Sequence, residues 1–153
     1  MNKNIAIVIP HKGIGDILFH NNFIKSISKN EKKRVILIAN KSSRADYLYK
    51  NSNYVKKIIL TNLRRPNPFL YLFKTLQLIS IISSNNIDKI YYTGKNKWQI
   101  FALEFLKYFF NAKYLNVDDN EKFIIEKLNN FLKVNKILNL NDYGLNLINL
   151  SKK

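Results

Sequence analysis

The side chains with the most chemical capacity in this chain cluster in His11-Lys12-Gly13-Ile14-Gly15-Asp16, with His20 four residues on. A carboxylate at such a turn can accept a proton from a hydroxyl that attacks an electrophilic carbon, and it needs no metal to do so. Asp16 also has a purely structural reading, because Asp is a favoured helix N-cap worth about 1 kcal/mol over Ala. His11 can contact an anionic ligand or stand as an ordinary loop residue. His20, one helical turn beyond Asp16, can orient it, touch a ligand, or simply be half-buried on its helix. Gly13 and Gly15 permit backbone conformations closed to other residues and let a ligand approach the main chain. Arg64 and Arg65 form a second basic pair that can grip phosphate bidentately or remain solvated in a loop.

Known motifs are excluded around this turn. A dinucleotide fingerprint needs a third small residue, and Leu18 stands there. The acid expected about 20 residues further on, at the end of the second strand, is replaced by Asn40. No Gly-Lys-Ser/Thr follows, so the turn is not a Walker loop. With no Cys, two His and ten acids without ligand spacing, no intrinsic metal site is expected.

The elements that must position these groups follow from hydrophobic patterning. Ile5–Ile9 is a continuous β-branched run, the mark of a strand buried on both faces. A helix is predicted over Asp16–Ser28, with Leu18, Phe19, Phe23, Ile24 and Ile27 at core spacing. Further strands are predicted at Val35–Ala39, Tyr54–Leu60, Asp88–Tyr92 and Lys113–Val117. Helices are predicted at Ser43–Tyr49, Phe69–Ser83, Trp98–Phe110 and Glu121–Leu132. Pro68 suits the first turn of the third helix, and Asp118 and Asp119 can cap the last. The Trp98–Phe110 helix carries Trp98, Phe101, Phe105, Leu106 and Phe109 on one face. The Phe69–Ser83 helix is apolar on more than one face, so it reads either as a core helix or as one that dips into a membrane interface.

Five alternations of strand and helix imply an α/β fold, a Rossmann-like doubly wound parallel sheet in the order 3-2-1-4-5. In such a sheet the ligand sits beyond the carboxyl ends of the strands at the switch point, which is where the 11–16 turn falls. Residues 1–133 form this domain. The Asn/Leu-rich stretch 134–153 reads as a tail or the start of an interdomain connection.

The formal charge is +16, from 26 Lys and Arg against 10 Asp and Glu, which favours an anionic partner. A Lys- and Asn-rich genome is a competing explanation, since 22 of the basic residues are Lys and the chain has 23 Asn. Phosphates, nucleic acid and an anionic membrane face are the polyanions that charge alone suggests. No nucleic-acid partner is expected, because no helix-turn-helix, zinc finger or RNP-like motif is present. The N-terminal apolar run is cut off by Pro10, too short for a secretory signal. The apolar stretch Phe69–Ile82 is likewise too short for a membrane span. The expected location is the cytoplasm, with peripheral contact at a membrane surface left open.

The segments "IAIVIPHKGIGDILFHNNFIKSI" and "RVILIANKSSRADYLYKNSNYVKKII" resemble the N-terminal half of glycosyltransferase family 9, the lipopolysaccharide heptosyltransferases and their relatives. The likeness rests on the Gly15-Asp16 turn and on Asn53-Tyr54-Val55-Lys56-Lys57-Ile58-Ile59, similar to the family's "NPYVDKVI"-like third strand, and covers about residues 4–133. Where the family often carries a Thr-x-Pro-like segment after the Asp, this chain reads Phe19-His20-Asn21-Asn22. The resemblance implies the N-terminal half of a GT-B fold and an acceptor-binding domain. It implies inverting transfer from a nucleotide sugar such as ADP-heptose, a co-substrate rather than a cofactor, to an anionic glycolipid at the inner face of the inner membrane. Asp16 would be the catalytic base, and His11, Lys12, Gly13, Gly15, His20, Arg64 and Arg65 would meet the acceptor. A separate donor-binding domain or subunit is then expected, the chain being an excised piece, a truncated product or one part of a split enzyme. A non-catalytic module for anionic glycolipid or a membrane surface is the alternative.

Overall fold

The computed structural model describes residues 3–62, 67–94, 97–116 and 124–140. Five strands, β1 (Asn4–Ile9), β2 (Val35–Asn40), β3 (Val55–Thr61), β4 (Ile87–Gly94) and β5 (Asn111–Asn116), form one parallel sheet. Its order is β3-β2-β1-β4-β5, the doubly wound order that the alternation predicts. β1 lies at the centre because its residues from Ile5 to Ile9 are all buried and need cover from both faces.

The helices divide into two layers. α1 (Ile14–Phe19), α2 (Asn21–Asn30), α3 (Ala45–Tyr49) and α6 (Ile124–Val134) cover one face. Their core joins Ile5, Ile7 and Ile9 to Ile17, Phe23, Ile24, Ile27, Leu128, Phe131 and Leu132. On the other face α4 (Tyr71–Ser84) and α5 (Lys97–Lys107) cover Ala6, Val8, Ile36, Ile38 and Ile90 with Leu78, Ile82, Ala102 and Leu106. Among the described residues no helix is long and apolar enough to cross a membrane.

Several elements differ from the sequence reading. The single helix predicted over Asp16–Ser28 is two helices, broken at His20 (φ −80°, ψ −3°). The break turns the first segment, so Ile17 reaches the core while Leu18 is half-buried and Phe19 exposed. The helix expected at Ser43–Tyr49 is a 3-10 turn (Lys41–Ser43) followed by α3, with Arg44 between them at φ 55°. Pro68 opens a 3-10 turn, Pro68–Leu70, ahead of α4. β5 starts two residues earlier than predicted. On α4 only Thr75, Leu78 and Ile82 are buried, while Phe69, Leu70, Leu72, Phe73 and Leu76 at its start face outward. α5 ends at Lys107, short of the predicted Phe110; the rings of Phe101 and Phe105 share a face that Phe109 continues beyond the helix, and Leu106 of that predicted face reaches the core beside Ala102. Asp118 and Asp119, expected to cap the last helix, lie outside the described residues.

Beyond α6, Ile137 is buried against the α2 side of the sheet. The Asn22 amide donates to Asn139 Oδ1 at 2.7 Å, and Leu140 N–H donates to Ser26 Oγ at 3.2 Å.

Candidate functional site

The 11–16 turn leaves the carboxyl end of central β1, beside the crossovers to β2 and β4. Lys12, Gly13 and Gly15 are exposed and Asp16 is half-buried. Asp16 is the third residue of α1, not its cap. Its Oδ2 reaches back and accepts the Gly13 N–H at 3.1 Å, as the acidic residue of a capping box does, although Gly13 has no side chain to reciprocate. The first free N–H of the helix is therefore already taken by the carboxylate. Among the described residues, Oδ1 has no hydrogen-bond partner.

The two glycines play different parts from the expected one. Neither has positive φ, and Gly13 (φ −78°, ψ 148°) is ordinary extended backbone. What Gly13 provides is room: a Cβ there would lie 3.0 Å from Asp16 Oδ2. A Cβ on Gly15 would meet nothing within 4 Å, so the backbone at that residue is open to an incoming molecule.

His11 and His20 lie behind the carboxylate. Their rings are 5.3 Å apart, tilted by 37°, and both are buried, His11 2% and His20 0% exposed. In this conformation neither ring is presented to a ligand. The His20 Nδ1–H donates to the Asp16 carbonyl at 2.6 Å, which ties the broken joint to the turn. Burial, and then the neighbouring His11, pull the His20 pKa down to about 3 against the opposing pull of Asp16, so His20 is neutral near pH 7. The joint is braced from α3 as well. The Tyr49 hydroxyl lies 3.4 Å from the Ile17 carbonyl and 3.3 Å from Asn21 Oδ1. Burial raises its pKa and keeps it a donor.

One contributor escaped the sequence reading. Asn40 ends β2 next to the turn and is 4% exposed. Its Oδ1 accepts the Ser42 N–H at 3.2 Å, and Ser42 Oγ stands within reach of both Asn40 Oδ1 (3.0 Å) and the Lys12 carbonyl (3.1 Å). The strand-ending Asn with Ser two residues on is an Asx-turn signature that would have located this brace. Among the described residues the Asn40 Nδ2 has no acceptor.

The structure thus brings His11, Lys12, Gly13, Gly15, Asp16 and His20 together, and adds Asn40. Arg64 and Arg65 lie outside the described residues. Among the described residues no three His, Cys, Asp or Glu side chains converge as metal ligands. A depression of about 600 Å³ opens elsewhere, beside edge strand β3, lined by Arg44, Tyr47, Lys50 and Lys56 among others.

No protein-family model and no curated protein matches the chain. Solved structures do resemble its fold. The structure of the glycosyl transferase family 9 from Veillonella parvula aligns with 94% of this chain at TM-score 0.64 and 10% identity. A glycosyltransferase from Rickettsia africae aligns with 87% at TM-score 0.54 and 20% identity. The aligned regions amount to 44% and 35% of those proteins, so this chain spans less than half of either.

Proposed function

We propose that this chain is the acceptor-binding half of a heptosyltransferase-like glycosyltransferase, with Asp16 as the catalytic base. The observation that carries the reading is the Asp16 carboxylate, held through one oxygen by Gly13 at the carboxyl edge of the central strand. The fold shared with two glycosyltransferase structures supports it.

In this mechanism Asp16 Oδ1 accepts the proton of an acceptor hydroxyl as that oxygen bonds to the anomeric carbon of a nucleotide sugar. The nucleoside diphosphate leaves from the opposite face with the bonding electron pair, so the configuration inverts. A second domain or subunit binds the donor. Lys12 and the open backbone at Gly15 border the acceptor, and His11 and His20 hold the turn from behind. Arg64 and Arg65, which follow β3 in sequence, pair with acceptor phosphates of a lipopolysaccharide-type glycolipid.

The test joins this chain to a cognate donor domain and measures sugar transfer. Asp16→Asn should lower kcat by about 10²–10⁴-fold, the usual worth of a positioned base. Unchanged turnover would remove the assignment. The charge of +16 supports a second reading, a non-catalytic module for anionic glycolipid. In that case Asp16→Asn leaves glycolipid binding unaltered and no donor domain restores transfer.

A further inference from the structure

The outer face of α4 and α5 is apolar where a helix layer ordinarily turns polar side chains to water. Phe69 is 92% exposed and Phe73 64%, with Leu70, Leu72 and Leu76 about half exposed beside them. The face continues across the helix pair. Tyr71 meets Phe101 at 6.1 Å, Phe101 stacks on Phe105 at 6.3 Å, and Phe105 meets Phe109 at 5.7 Å. Phe109 and Tyr108 are themselves exposed. Contiguous apolar surface of this kind marks an interaction site, whereas scattered apolar residues do not.

Charge identifies the occupant. α4 carries Lys74 and no Asp or Glu, and Lys57 of β3 donates to Asn85 at the end of that helix. On α5, Glu104 is paired with Lys107 at 2.6 Å. Self-association through this face would bring two chains of charge +16 together. The last described residues, Ile137–Leu140, pack on the other side of the sheet against α2. We propose that the α4–α5 face docks on an anionic lipid surface. Phe69, Leu72, Phe73 and Leu76 enter the headgroup–acyl boundary, and Lys74 of the same helix meets lipid phosphates.

The geometry suits the site. α4 begins where the chain has left β3 at the carboxyl edge, the edge that carries Asp16. The most exposed residues are in its first turns, so docking brings that edge to the membrane surface. This part of the inference rests on the reading of a lipid-borne acceptor, whose hydroxyl would then be delivered along the membrane to Asp16.

The experiment is co-sedimentation of the full chain with phosphatidylcholine vesicles, with or without phosphatidylglycerol. Binding is expected only with the anionic lipid and should weaken as salt rises. Phe69→Ser combined with Phe73→Ser should lower it about tenfold or more, as loss of two buried aromatic contacts implies. These positions are exposed, so circular dichroism and melting should be unchanged. Leu72→Ser with Leu76→Ser gives an independent check on the same face. Absence of binding at low salt overturns the proposal, as does binding that both double variants retain. So does parent-chain dimerisation that the variants abolish, which assigns the face to a second copy. Asp16→Asn should bind vesicles as the parent does. Lost transfer with intact binding therefore bears on the catalytic reading, and lost binding with intact transfer bears on this one.

Discussion

At the scale of single residues, the turn separates two kinds of glycine. Gly13 makes space for a carboxylate, and Gly15 leaves space for something not of this chain. Gly13→Ala keeps an allowed backbone but sets a methyl 3.0 Å from Asp16 Oδ2, so the carboxylate must shift by a few tenths of an ångström and its bond to the Gly13 N–H is weakened. Transfer by the joined enzyme should fall mainly in kcat, with stability lowered by about 1 kcal/mol. Gly15→Ala should instead raise stability by up to about 1 kcal/mol, because Ala is the better helix former, while raising KM for the acceptor. If kcat and KM respond alike in the two variants, this division of roles is wrong. The Gly-Asp turn was legible in the sequence, but the division was not, since it depends on where the Asp16 carboxylate points. Likewise, sequence placed His20 on a helix beside Asp16 but could not show that both rings are buried behind it.

The pair of buried imidazoles has a consequence for pH. His20 is held near 3 in the fold against an ordinary 6.5. The unfolded chain therefore binds a proton more readily, and the stability that neutral His20 represents is complete above about pH 6.5. It is lost as pH falls from there towards the folded value, by about 1.4 kcal/mol for each pH unit crossed. His20→Asn keeps a donor near the Asp16 carbonyl without a titrating ring. Its melting temperature should decline less than the parent's between about pH 6.5 and 4.5. Parallel declines would show that the acid sensitivity arises elsewhere.

At the scale of elements, the strand order was readable because five β-branched or aromatic runs alternate with helical segments. Right-handed crossovers then leave few topologies open. The break at His20 was hidden because apolar spacing continues through it, and what fixes it is the bond back to Asp16 together with contacts from outside the helix, the ring of His11 and Tyr49 from α3. The outward face of α4 was hidden for a related reason, since periodicity finds apolar positions but not the neighbours that cover them. At the amino edge of the sheet, Glu31 at the end of α2 accepts from both Lys89 and Tyr91 of β4. Burial raises its pKa, but these two bonds and the charges of Lys89 and Lys113 outweigh it and hold the carboxyl below its ordinary range. Its contribution is complete above that ordinary range and is lost as pH falls through the lower folded value. Glu31→Gln should cost about 1–3 kcal/mol near neutrality by leaving Lys89 without its counter-charge. Urea unfolding at neutral pH and again in acid checks this, with the gap between variant and parent closing as pH falls.

At the scale of the whole molecule, +16 on 153 residues is a load on the fold as well as an invitation to anions. Screening alone predicts that added salt relieves self-repulsion, raising the melting temperature by about 2–4 °C for each ~1 kcal/mol recovered in a chain of this size. Screening depends on ionic strength and not on which anion supplies it. A phosphate-recognising site adds a second contribution that saturates with phosphate concentration, because a ligand bound only by the folded chain stabilises it by mass action. The two separate when chloride and phosphate are compared at equal ionic strength. The acceptor reading predicts an excess for phosphate that disappears in Arg64→Gln/Arg65→Gln, while the chloride curve keeps its shape. Coincident curves in the parent would reduce the basic charge to a general property of composition. An excess that survives loss of both arginines would move phosphate recognition elsewhere, with the exposed Lys12 beside Asp16 the first position to replace.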